Sequence, residues 1–142
     1  MPRRTLMGTA LVIGSTLLVS GVVGAAKPLR VVVQFSDQAQ VENGLRNIAN
    51  IFNAANSEGA SVEVKAVVSG AGMKSFLLGA PDPVKEAFAK LRASKVTFLA
   101  CHNTMERLDL TEADLLPGFT VVPSGAYEVV KLQKSGYAYF RP

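Results

Sequence analysis

Short apolar runs alternate along the chain with segments that have helical spacing. From residue 29 onward, five runs are rich in β-branched and aromatic side chains, as strands are. The five predicted strands are residues 30–35, 62–68, 96–100, 119–122 and 137–140. Most of these runs are apolar nearly throughout, which is typical of strands that are buried on both faces. The last run is short, and we expect it at an edge of the sheet.

The longest helical segment follows the first predicted strand. Its apolar residues recur at spacings of four and three, which places them on one stripe of a helix. They are Val41, Leu45, Ile48, Phe52 and Ala55. An asparagine stripe lies on the opposite side, at Asn43, Asn47 and Asn50. We expect that stripe either to face solvent or to contact another copy of the chain.

Shorter helices are predicted in the remaining connections. Asp82 and Pro83 are suited to the N-cap and the first position of a helix. Other helical segments are predicted at residues 73–78, within 104–116 and at 124–134. Strands separated by crossovers of helix length predict an α/β fold, in which a mostly parallel sheet has helices on both faces.

The predicted architecture directs attention to one edge of the sheet. In open α/β sheets, ligands bind outside the carboxyl ends of the strands. Here the residues that follow the strands are small, polar or reactive, unlike the strands themselves. The candidate ligand-binding residues are Ser36, Ser69, Gly70, Gly72, His102, Asn103, Thr104, Ser124 and Gly125, and the candidate reactive residue is Cys101.

The N-terminus has the layout of a secretory signal peptide. Arg3 and Arg4 precede a charge-free apolar segment at residues 6–23, and residues 24–26 are Gly-Ala-Ala. This pattern predicts a cleavable signal peptide at residues 1–26, a mature domain at residues 27–142 and export to the periplasm. After cleavage no membrane span would remain. The alternative is an uncleaved anchor, because about 20 apolar residues suffice to cross a bilayer.

The charge of the chain argues against nucleic-acid binding. The 142 residues include 15 basic and 11 acidic side chains, and removal of Arg3 and Arg4 leaves 13 basic residues and a net charge of +2. No basic cluster is interleaved with aromatic residues, as nucleic-acid interfaces require. We therefore expect no nucleic-acid partner.

The chain has a single cysteine, Cys101, which lies after the third predicted strand and before a helix start predicted at Asn103–Thr104. Helix dipoles and free N–H groups stabilise a thiolate in such a position. An unpaired cysteine in an oxidising compartment indicates either an intermolecular partner or a thiol that is kept for its chemistry. The alternative is a buried cysteine that acts as a small hydrophobic residue.

The other candidate groups exclude several classes of site. His102 is the only histidine, and one cysteine with one histidine does not make a metal site, which takes three or four ligands. Ser69-Gly70-Ala71-Gly72 lacks the third glycine of a dinucleotide-binding loop, because Ser75 stands in that place. The loop is either a tight turn or a binding site for an anion, with Lys74 close by. We expect no metal and no cofactor.

Six short segments resemble the DsrE/DsrF-like family, in its branch of small single-domain proteins. They are residues 47–50 (NIAN), 67–70 (VVSG), 100–104 (ACHNT), 114–118 (DLLPG), 121–125 (VVPSG) and 136–139 (GYAY). The resemblance implies a three-layer α/β/α fold with a five-stranded parallel sheet, usually assembled into trimers or hexamers. In the family's sulfur-relay members a cysteine carries sulfane sulfur as a persulfide, and Cys101 is the residue that matches it.

Two functions are therefore expected from the sequence. The first is a periplasmic sulfur-binding or sulfur-transfer protein, either a sulfurtransferase or a sulfur carrier. It would exchange sulfur at Cys101 with a donor or acceptor protein or with a small sulfur species. The second is a non-catalytic oligomeric module that holds a small anion or a protein partner at the carboxyl edge of the sheet. Only the first function needs the thiol.

Overall fold

The computed structural model of the protein describes residues 26–142. The predicted signal peptide, apart from Ala26, lies outside the described residues. The strands are β1 (Leu29–Phe35), β2 (Val62–Val68), β3 (Thr97–Cys101), β4 (Phe119–Val122) and β5 (Ala138–Phe140). The α-helices are α1 (Val41–Ser57), α2 (Asp82–Ala93), α3 (His102–Arg107) and α4 (Gly125–Lys134). Short 3-10 helices cover Gln38–Gln40, Gly70–Phe76 and Glu112–Asp114.

The five strands form one parallel sheet in the order β4-β3-β2-β1-β5. Its register places Val31 beside Val64 on one side and Ala138 on the other. The α/β fold and the parallel five-stranded sheet are thus confirmed, and β5 is an edge strand as predicted. Because all strands point the same way, the residues that follow them meet at one edge.

The two faces of the sheet bury different side chains. Alternate residues of β1 point to opposite faces, so Val33 packs with α1 and α2 while Val32 packs with α4. The α1 and α2 face holds the larger core and an aromatic cluster with ring centroids 4.5 to 6.1 Å apart. Its members are Phe76, Phe88, Phe98 and Phe119. Helices therefore cover both faces and form three layers.

The predicted amphipathic stripe of α1 agrees with the structure. Val41, Leu45, Ile48 and Ala55 are buried, and Phe52 packs against the same core while partly exposed. The asparagine stripe lies on the outside of α1, with Asn43 and Asn50 exposed and Asn47 half-buried.

Two predicted helix starts are wrong by one or two residues. Pro81, and not Asp82, is the N-cap of α2, because its extended backbone ends the preceding segment and Asp82 is already the first helical residue. Helix α3 begins at His102, and not at Asn103–Thr104, because the chain passes from β3 into the helix without a linker. Cys101 consequently ends the strand and caps the helix. Within residues 26–142, no helix is both long and apolar enough to cross a membrane.

Candidate functional site

Three loops are tied together at the carboxyl edge of the sheet. The N–H of Ser69, after β2, donates to the carbonyl oxygen of Phe35 at the end of β1, at 2.9 Å. The N–H of Gly72 donates to the carbonyl oxygen of Ser36 at 3.3 Å. The N–H of Gly70 donates to Oγ1 of Thr104, in the segment after β3, at 3.0 Å. The structure therefore brings most of the sequence-predicted residues into one place.

Two glycines allow this close approach. A Cβ atom on Gly125 would lie 3.1 Å from Cβ of Cys101 and 3.3 Å from Cβ of Ser69, so the start of α4 rests directly on the ends of β2 and β3. A Cβ atom on Gly72 would lie only 2.7 Å from the carbonyl oxygen of Phe35. Position 72 therefore needs a residue without a side chain, whereas a Cβ atom at position 125 would require Cys101 or Ser69 to move by a few tenths of an ångström.

Cys101 lies at the centre of this arrangement, with only 5% of its surface exposed. Its carbon atoms belong to the larger core, and burial raises the pKa of its thiol. Hydrogen bonds to the sulfur, first from the hydroxyl of Thr104, act in the opposite direction. The backbone donors are the N–H groups of Gly125, Thr104 and Asn103. Together these donors outweigh burial, and the pKa of Cys101 is lower than that of an ordinary thiol.

The hydroxyl of Thr104 is oriented by its other partners. A hydroxyl group has two acceptor positions and one donor hydrogen. Thr104 is 1% exposed, and its Oγ1 accepts from the N–H of Gly70 at 3.0 Å and from Nη2 of Arg107 at 3.3 Å. Its hydrogen is then left to point at the sulfur of Cys101. A sulfur that receives this hydrogen and several N–H groups is favoured as a thiolate, which only accepts.

A surface cleft of about 260 Å³ lies on the outer side of Thr104. Its lining residues are Gly70, Ala71, Lys74, Thr104, Arg107 and Leu108. Lys74 and Arg107 carry positive charge, and neither forms an ion pair with a carboxylate in the part of the chain that the structure describes. Thr104 is the residue that connects the cleft with the sulfur of Cys101.

His102 is directed away from this chemistry. Its Nε2 lies 3.3 Å from Oε1 of Glu106, one turn further along α3, and its side chain is half-exposed. It contributes nothing to the pKa of Cys101, so the two neighbours do not form a catalytic dyad. Among residues 26–142, no group of three or more potential ligands could hold a metal ion.

The remaining predicted residues organise the backbone of the site. Oγ of Ser124 accepts from the N–H of Tyr127 at 3.3 Å and caps α4, while Ser36 takes part through its carbonyl oxygen. Asn103 contributes its N–H group, and its side chain is exposed. The sequence interpretation missed Arg107. The available signal was its position three residues after Thr104, which places both on one side of α3.

Comparisons with known proteins agree on the fold. A family model described as the DsrE/DsrF-like family matches residues 30–142. The structure of MTH1491 from Methanobacterium thermoautotrophicum, a protein of unknown function, is 28% identical with a TM-score of 0.70 and covers 80% of this chain and 99% of its own. The ychN protein from E. coli is 11% identical with a TM-score of 0.64 and covers 80% of this chain and 100% of its own. A comparison with curated proteins found no match.

Proposed function

Because the chain belongs to the DsrE/DsrF-like family, which is associated with sulfur relay, we propose that it binds and transfers sulfane sulfur as a persulfide on Cys101. The match over residues 30–142 confirms the family resemblance of the sequence motifs. The observation that carries the proposal is the set of hydrogen-bond donors around the sulfur of Cys101. Those donors support a nucleophilic thiolate in a residue that is otherwise surrounded by the core.

The same donors suit the product of sulfur transfer. The thiolate is the form of cysteine that attacks another sulfur atom. A persulfide is also an anion, so it benefits from hydrogen bonds that stabilise negative charge. The hydroxyl of Thr104 and the N–H groups of the helix starts supply them, and no basic side chain among residues 26–142 contributes to the pKa of this thiol.

Location and assembly complete the proposal. The pattern at residues 1–26 supports export to the periplasm, where the mature domain at 27–142 would exchange sulfur with a donor or acceptor protein or with a small sulfur species. Because members of the family usually assemble into trimers or hexamers, we expect a homo-oligomer of one of these sizes. The net charge of only +2 for residues 27–142 argues against binding to nucleic acid.

The low exposure of Cys101 favours a second candidate. A cysteine that exposes 5% of its surface is poorly accessible to a folded partner protein. A non-catalytic oligomeric module that holds a small anion or a protein partner at the carboxyl edge would not need an accessible thiol. Its prediction differs from that of the sulfur carrier in one respect, which is the chemical state of Cys101 after contact with sulfur donors.

Intact-mass analysis of the mature protein tests the two candidates. After exposure to polysulfide, or to thiosulfate with a thiol, a sulfur carrier gains the mass of one or more sulfur atoms and loses it on reduction. Cys101→Ser should abolish the gain, and His102→Gln, at the neighbouring exposed position, should leave it intact. A thiol that stays unmodified with every donor would contradict the sulfur-transfer function and support the binding module.

A further inference from the structure

The cleft beside Thr104 has a charge that distinguishes it from its neighbours. Its lining includes the cations Lys74 and Arg107 and no carboxylate. The groove between α1 and α2 has a mixed lining, since Glu42 and Glu86 lie there together with basic residues. A further cleft shares Lys74 but also contains Glu42. The cleft beside Thr104 is therefore suited to an anion, and two cations suit a divalent one.

The size of the cleft limits the anion. Pockets for drug-sized ligands typically measure about 300–1,000 Å³. The volume of about 260 Å³ is smaller than that range, and the cleft is open to solvent at the exposed side chains of Lys74 and Arg107. A small inorganic ion fits such a space better than a nucleotide or another large cofactor.

The burial of Cys101 also favours a small sulfur donor over a protein donor. Only 5% of the residue is exposed, so the surface of a folded donor protein cannot reach the sulfur readily. An ion of a few atoms needs much less room. The cleft is separated from the sulfur by Thr104, whose hydroxyl lies between them and contacts the sulfur.

We propose that this cleft binds a small divalent sulfur oxyanion that carries a sulfane atom, of the thiosulfate class, and presents it to Cys101. Lys74 and Arg107 hold the anion through their positive charges. The binding step stands independently of Cys101, whereas delivery to the sulfur rests on the proposed function.

The delivery step balances without an added oxidant. Delivery requires the side chain of Thr104 to turn aside, because it separates the cleft from the sulfur of Cys101. The thiolate of Cys101 then attacks the outer sulfur of thiosulfate, and a bond forms between Sγ and that sulfur. The sulfur–sulfur bond within thiosulfate breaks, and its electron pair leaves with sulfite. A persulfide anion remains on Cys101. No proton is transferred in this step, because the thiolate is the form of cysteine that attacks.

The test measures thiosulfate binding to mature Cys101→Ser protein at low ionic strength by isothermal titration calorimetry. This variant cannot take up sulfur, so it isolates binding from transfer. In the same background, Lys74→Gln and Arg107→Gln should each weaken binding by about three- to tenfold, as expected for loss of one charged partner at a solvated site. Lys134→Gln on the exposed side of α4 removes the same charge far from the lining residues and should leave affinity unchanged.

The outcomes separate this inference from the proposed function. No saturable thiosulfate binding, or equal affinity in all three charge variants, overturns the cleft proposal, even if polysulfide still loads Cys101. Binding that depends on Lys74 and Arg107 confirms the cleft as an oxyanion site. If the wild-type thiol then takes sulfur from no donor, the sulfur-transfer function and the delivery step fail while the anion site stands.

Discussion

Cys101 at the carboxyl edge of the sheet and Tyr137 at the amino edge are both buried, yet their pKa values shift in opposite directions. Hydrogen-bond donors around the thiol outweigh burial and lower the pKa of Cys101. Burial, followed by a hydrogen bond to Glu63, raises the pKa of Tyr137 to about 12. The carboxyl edge therefore favours the thiolate of Cys101, and the amino edge favours the neutral phenol of Tyr137.

The difference follows from the direction of the chain. In a parallel sheet the helices begin at the carboxyl edge, so their free N–H groups gather there. Cys101 receives such groups from the starts of α3 and α4. At the amino edge the phenol of Tyr137 donates to the carboxylate of Glu63, while Arg30 and Lys65 lie over its ring at 5.0 and 5.4 Å. The contacts at the amino edge favour the neutral phenol of Tyr137, and the N–H groups at the carboxyl edge favour the thiolate of Cys101.

The largest expected effect comes from crowding the carboxyl edge. In Gly72→Ala, the new Cβ would lie 2.7 Å from the carbonyl oxygen of Phe35, and backbone atoms on both sides must shift. We expect a loss of about 3 kcal/mol in the free energy of unfolding, at the upper end of overpacking effects. Urea denaturation measures this loss.

Gly79→Ala is the matched control, because a Cβ there would meet no atom of residues 26–142 within 4 Å. Its unfolding free energy should change by less than about 0.5 kcal/mol. Equal effects in the two variants would mean that the close packing of loops at the carboxyl edge does not contribute to stability.

The second effect concerns the charge that the carboxyl edge stabilises. Thr104→Val keeps the shape of the side chain but removes the donor to Cys101 and the acceptor for Gly70 and Arg107. We expect the pKa of Cys101 to rise, and the protein to lose about 1 kcal/mol because the half-buried N–H group of Gly70 loses its acceptor. The pH dependence of iodoacetamide alkylation on the folded protein reports the pKa.

The stability loss in Thr104→Val should also depend on pH. A thiol whose pKa is lower in the folded than in the unfolded state stabilises the fold above the unfolded value, and this stabilisation disappears as the pH falls through the folded value. The variant should therefore lose more at a pH above 9.0, the ordinary thiol value, than at neutral pH. Thr120→Val, at an exposed position of β4, is the control. An unchanged alkylation profile in Thr104→Val would remove the basis for an activated thiol.

The sequence was sufficient to predict the elements but not the environment of the sulfur. Apolar runs and helical spacing depend on neighbours in the chain, so β2 and β4 were predicted at their observed bounds. Cys101 was predicted directly after the third strand, at 96–100, whereas it is the last residue of β3. Contacts of the sulfur with Gly125 and of Thr104 with Gly70 join residues that are 24 and 34 positions apart, and no local pattern encodes them. Arg107 was missed because its role depends on Thr104 pointing inward.

The smallest effect is expected at the amino edge, in Tyr137→Phe. The variant removes the hydrogen bond to Glu63 but leaves the ring packed beneath Arg30, and Glu63 is exposed enough to regain water as a partner. We expect a loss of about 1 kcal/mol at neutral pH, typical of one hydrogen bond.

The stability contribution of Tyr137 should also depend on pH. A pKa of about 12 in the folded state, above the ordinary 10.0, stabilises the fold below pH 10.0, and this contribution disappears as the pH rises toward 12. The difference between wild type and Tyr137→Phe should accordingly shrink over that range, which is opposite to the trend for Thr104→Val. Tyr127→Phe, at the exposed tyrosine of α4, controls for loss of a phenol. If urea denaturation showed the same pH trend for Thr104→Val and Tyr137→Phe, the two edges would not stabilise opposite charge states.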